Sequence, residues 1–119
     1  MINAILRFTP IRMVSGQREP VTLNVYLVNK FSEPVLVSVI ARVPASLGFD
    51  KAGIVSEKRE RVGFIEPGEE KLVSFPIYGK FGTRPGKYPI QVKVLLHEDR
   101  YDKIKNEYKF STELKVIER

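Results

Sequence analysis

The chain has no cysteine, no tryptophan, one histidine and two methionines. Without cysteine there is no disulfide framework, no thiolate zinc site, no iron–sulfur ligation and no thiol nucleophile. A single histidine leaves one imidazole for any proton transfer, nucleophile activation or metal ligation. No apolar run approaches the ~18 residues a spanning helix needs. Met1 to Pro10 shows no basic region followed by a long apolar stretch, so neither a signal peptide nor a membrane span is read. The expectation is a soluble cytoplasmic protein, or an extracellular one if a leader has been removed.

The 119 residues are 43% hydrophobic and 29% charged. That length suits one domain over residues 1–119 and lets the chain bury roughly two thirds of its unfolded surface. Twenty Lys and Arg against fourteen Asp and Glu leave a net charge of +6, which draws anionic partners from a distance. The basic residues are spread from Arg7 to Arg119 instead of being concentrated among stacking aromatics, as nucleic-acid binders usually arrange them. The abundance of charge and scarcity of labile side chains also suit a thermophile's surface.

Apolar residues recur with period two, and Gly or Pro punctuates them about every ten residues, the pattern of an all-β sandwich. Seven strands are predicted near 2–9, 20–29, 34–43, 58–65, 70–79, 87–97 and 107–117. Val21, Leu23, Val25 and Leu27 alternate with Thr22, Asn24 and Tyr26 up to a polar Asn29-Lys30 turn. Arg12 to Glu19 reads as a bend, and Pro44 to Lys51 as an irregular stretch with room for one helical turn. Pro67-Gly68 makes a turn because Pro presets its φ and Gly accepts the positive φ that follows. Pro76 suggests an edge or bulge position.

Three phrases carry a family resemblance: "VTLNVYLVN" (21–29), "IEPGEEKLVSFPI" (65–77) and "RPGKYPIQVKV" (84–94). An alternating strand ending in Asn, a Pro-Gly-acidic turn feeding a strand, and Pro-Gly-x-Tyr feeding another resemble the immunoglobulin-like CARDB modules of bacterial and archaeal proteins. The match runs from about Gly16 to Leu96. The resemblance implies a seven-stranded immunoglobulin-like fold and an interaction role with no catalytic signature. Tyr88 stands where the tyrosine of a corner would bond a nearby backbone group.

Among chemical candidates, His97 lies beside Glu98, Asp99 and Asp102, a set able to ligate a divalent cation. The loop lacks the fixed alternation of a calcium site, and Arg100, Lys103 and Lys105 neutralise its acids, so no metal or other cofactor is expected. Seven serines are available, but only His97 could serve as their base and no Gly-x-Ser-x-Gly elbow exists. The chain is therefore read as no enzyme.

Binding surfaces remain. If Val35, Val37 and Val39 face the core, Leu36 and Ile40 point outward, and Leu95 shares that outer face. Such an apolar patch marks an interface, here between two copies in a homodimer or with an unidentified protein, unless Leu47 and Phe49 fold over it. An exposed edge strand or the longer loops are further routes. The rival reading is nucleic-acid or anionic-surface binding through Lys80, Arg84 and Lys87 in the glycine-rich 80–87 loop.

Overall fold

The computed structural model describes all 119 residues. They form nine strands: β1 (Ile2–Thr9), β2 (Arg12–Val14), β3 (Val21–Asn29), β4 (Val35–Arg42), β5 (Leu47–Gly48), β6 (Glu57–Ile65), β7 (Glu70–Gly79), β8 (Gly86–His97) and β9 (Ile104–Ile117). One sheet runs β1-β3-β7-β5 and the other β2-β9-β8-β4-β6. No helix is long and apolar enough to cross a membrane.

Alternation decides which side chains meet. Val21, Leu23, Val25 and Leu27 of β3 are wholly buried while the residues between them stay half exposed. Leu23 sits between Phe8 of β1 and Phe75 of β7. From the second sheet come Val37, Val39 and Ala41 of β4, Ile90, Val92, Val94 and Leu96 of β8, and Leu114 and Val116 of β9; both sets join one core of 21 buried residues. Successive strand residues point to opposite faces, so each strand hands every second residue to this core.

The expected count of seven strands is corrected to nine. β2 arises inside the expected bend: Arg12 to Val14 pairs in parallel with Lys115 to Ile117, and Met13 is buried beneath it. The chain thus passes from one sheet in β1 to the other in β2. A three-residue strand offers no alternation to detect. β5 replaces the expected helical turn, with Leu47 and Gly48 pairing with Gly79 and Tyr78 after a turn in which Leu47 N donates to the Pro44 carbonyl at 3.0 Å. Tertiary pairing outcompetes any local preference over so few residues. Pro76 lies on β7, whose second side is paired only at Tyr78 and Gly79, so its missing N–H is tolerated.

The Glu66–Glu69 turn has Gly68 at φ +78°, and Glu69 N donates back to the Glu66 carbonyl at 2.9 Å. Glu69 Oε1 accepts the Glu66 N–H at 3.0 Å. That bond, with Lys71 nearby, holds the Glu69 carboxyl below its usual range. No atom approaches within 4 Å of where a Gly68 side chain would stand, so substitution there tests the backbone alone. Gly68→Ala is expected to cost about 1–2 kcal/mol in denaturant unfolding.

Asn29 closes β3 and is fully buried. Its Nδ2 donates to Ile65 O of β6 at 2.9 Å and to Glu33 O at 2.8 Å, while its Oδ1 accepts Phe31 N at 2.8 Å. Its carbonyl accepts Gly68 N at 2.8 Å. One residue therefore ties the first sheet to β6 of the second and shapes two turns. Asn29→Ala should lower unfolding free energy by on the order of 3 kcal/mol, because carbonyls buried here lose their donors; thermal and denaturant melts measure this.

Candidate interaction surfaces

The outer face of the second sheet is arranged in cross-strand rows. Phe64, Leu36, His97 and Ile104 form one, on β6, β4, β8 and β9; Arg61, Ser38, Leu95 and Glu107 form the next, and Arg59, Ile40, Lys93 and Lys109 the third. Leu36, Ile40 and Leu95 do share this face, but the expected open patch is corrected. Leu36 and Leu95 are only 4% and 3% exposed, and Ile40 alone is half open. The cover is local. The β8–β9 connection brings the Tyr101 ring edge-on to His97 at 5.1 Å between centroids, and Arg61 lies 4.6 Å above the Tyr101 ring. Leu47 and Phe49 go into the core instead, where Phe49 packs tilted against Phe75 at 5.9 Å.

Beneath that cover the fold joins two residues that sequence reasoning left apart. Ser38 Oγ and His97 Nε2 share a 2.7 Å hydrogen bond. Both side chains are buried, and His97 Nδ1 has no partner. A Ser–His pair suggests nucleophile activation, but here no acid orients the imidazole and no substrate reaches the hydroxyl. The bond gives the buried hydroxyl and one imidazole nitrogen a partner beside the buried Leu36 and Leu95. Their separation of 59 residues hides the pairing; the one available signal was a Ser and a His in outward register on otherwise apolar strands. Ser38→Ala removes the histidine's only partner and should destabilise the fold by about 1–3 kcal/mol in urea melts.

The second surface is an edge. β9 pairs with β8 along its length, but on its other side β2 reaches only Lys115 to Ile117. Ile104 to Leu114 therefore presents unpaired backbone groups to solvent. Its core-facing Tyr108, Phe110 and Thr112 are only half buried. Lys109 stands directly opposite Lys93, while Glu107 binds Lys93 at 3.3 Å; Lys109 itself has no ion-pair partner.

The third surface is the end of the molecule where β3 and β8 begin and β7 and β9 finish. Thr83 organises it: Lys80 N donates to Thr83 Oγ1 at 2.8 Å, the Thr83 carbonyl accepts Ser15 Oγ at 2.7 Å, and Thr83 Oγ1 lies 2.9 Å from the Ser46 carbonyl as its donor. Three loops are thereby held together. Tyr88 OH donates to the Arg84 carbonyl, the bond expected of a tyrosine corner. A cleft of about 830 Å³ opens here, lined among others by Arg18, Lys51, Tyr78, Lys80 and Phe81. Of the three expected anion-binding residues, Lys80 lines the cleft, whereas Arg84 and Lys87 lie exposed outside its lining. At the same end Arg42 Nη2 reaches Glu57 Oε1 at 2.6 Å and holds that carboxyl below its usual range.

The acidic residues beside His97 do not converge. His97 is buried against Ser38, while Glu98, Asp99 and Asp102 are exposed, and Asp102 pairs with Arg100 at 3.4 Å. No group of three metal-ligating side chains comes together anywhere in the chain.

No protein-family profile matches the chain, and no curated protein matches it in sequence. Solved structures do match it in shape. Native alpha-2-macroglobulin from Escherichia coli, spanning domain MG7 to the C-terminus, superposes with a TM-score of 0.66 at 18% identity, over 99% of this chain and 17% of that one. The chain thus spans a small part of that protein's length. The self-complemented major subunit of Myf fimbriae from Yersinia enterocolitica, in complex with galactose, gives 0.52 at 14% identity, over 96% of this chain and 98% of that one. These likenesses support an immunoglobulin-like fold; the narrower likeness to CARDB modules rests on the three sequence phrases alone.

Proposed function

We propose that this chain is a non-catalytic module, an immunoglobulin-like β-sandwich that associates with a second copy of itself through the sheet containing β4, β8 and β9. The expectation of an association face around Leu36, Ile40 and Leu95 shifts to that sheet's edge, since Leu36 and Leu95 are already buried within the chain. The observation that carries the reading is the open side of β9 from Ile104 to Leu114. An exposed edge is a template for another strand.

The charges on β9 favour one register. An antiparallel pair of β9 strands centred on Tyr108 sets Glu107 of each copy opposite Lys109 of the other, and Lys105 opposite Ser111. That supplies the partner Lys109 lacks within its own chain. It also places the two Tyr108 rings side by side over the half-open core seam, where cross-strand aromatic pairs are favourable. β2 does not obstruct it, because the paired span ends before Lys115. The fimbrial likeness concerns the fold, and adds that such a fold serves elsewhere as the subunit of an assembly.

Sedimentation velocity across a concentration series tests this. The chain should dimerise; Lys109→Glu should weaken the dimer about tenfold by turning two attractive cross-strand pairs repulsive, and Glu107→Lys combined with Lys109→Glu should restore it. A strict monomer at every concentration would refute the reading.

A further inference from the structure

The loop end carries two protruding apolar side chains within a field of unpaired positive charge. Phe81 is 108% exposed and Ile54 80% exposed. They sit on different loops that touch: a Cβ on Gly53, next to Ile54, would fall 2.6 Å from the side chain of Lys80, next to Phe81. Arg18, Lys51 and Lys80 line the cleft with Phe81, Arg84 and Lys87 follow Phe81 along the chain at the same end, and none of the five is engaged in an ion pair. Of the acids nearby, Asp50 is occupied, its Oδ1 accepting Ile54 N and Val55 N at 2.9 Å each, and Glu19 is the one acid lining the cleft, exposed beside Arg18 and outnumbered there by Arg18, Lys51 and Lys80. At the opposite end of the 47 Å molecule acids outnumber bases on the three connections, with Glu33, Glu66, Glu69, Glu98, Asp99 and Asp102 against Lys30, Arg100 and Lys103. Charge is therefore graded along the long axis.

Large apolar side chains at loop tips raise the free energy of the protein in water unless something covers them. The Thr83 bonds hold the Phe81 loop and the Asp50 bonds hold the Ile54 loop, and the cations beside them exclude a purely apolar cover. We propose that this end docks peripherally on a membrane surface bearing anionic phospholipid headgroups. Phe81 and Ile54 enter the boundary between headgroups and acyl chains, Arg84 and Lys87 meet lipid phosphates from outside, and the cleft beside Lys80, Lys51 and Arg18 receives a headgroup. Basic charge and apolar insertion are the two components that reversible interfacial binding combines. A nucleic acid fits less well, because an aliphatic tip such as Ile54 cannot stack on bases as an aromatic does.

Co-sedimentation of the whole chain with vesicles tests the proposal. Vesicles of phosphatidylcholine and phosphatidylglycerol in equal parts should retain the protein, and phosphatidylcholine alone should not. Phe81→Ser with Ile54→Ser, both exposed and so compatible with an unchanged circular dichroism spectrum, should weaken partitioning about tenfold or more. Arg84→Ala and Lys87→Ala should weaken it about fivefold each. Equal behaviour toward both vesicle types, or a tip double variant that binds like the parent, overturns the proposal. So does displacement by inorganic phosphate, which would make the cleft a phosphate site, or capture of a single-stranded oligonucleotide without vesicle binding, which would assign the end to nucleic acid.

Discussion

The two sheets are tied across their interface by a single amide. Asn29 belongs to β3, yet its side chain bonds the carbonyl of Ile65 on β6 and two backbone groups of the turn that leads to β4. A buried amide that makes all these bonds satisfies groups that would otherwise be stranded away from water. It also leaves little freedom in how the sheets meet. Once β3 is anchored, the paired residues Val25 and Val73, and Leu23 and Phe75, carry the register into β7, and β4 and β8 complete the core from the other side.

The two ends of the molecule are built differently. At the Asn29 end, short turns and the folded-back Tyr101 close over apolar side chains, and the Ser38–His97 bond lets two polar groups stay beneath that cover. At the other end Thr83 joins three longer loops but leaves Phe81 and Ile54 in solvent. Packing that leaves Phe81 and Ile54 exposed at one place while burying Leu36 and Leu95 elsewhere separates surface from core by structure, not by composition. The β9 edge is a third kind of surface, open because β2 is short.

Much of the framework was legible along the chain. Val21, Leu23, Val25 and Leu27 of the second expected strand and Val37 and Val39 of the third all lie in the core, the Pro67-Gly68 turn has the positive φ that glycine permits, and Tyr88 bonds a carbonyl four residues away. β2 and β5 were illegible because three and two residues cannot display a period of two. The surfaces were legible only in part. Lys80, Arg84 and Lys87 could be picked out by charge, but Ile54, Arg18 and Lys51 join them only through loop contacts between distant segments. Leu36 and Leu95 had the right facing and the wrong exposure, since burial on an outer face depends on neighbours that the strand's own sequence does not contain.

Sequence alone determined the all-β character, the inward and outward face of each long strand and the turns that separate them. These are local properties: alternation, φ preference and the missing N–H of proline act within a few residues. Tertiary structure alone decided that β1 and β2 divide between two sheets, that Ser38 meets His97, that Tyr101 packs against His97 and Arg61 on the outer face, and that β9 keeps an open side. Each depends on which strand lies beside which, and that outcome belongs to the whole core minimising its exposed surface, which no single segment encodes.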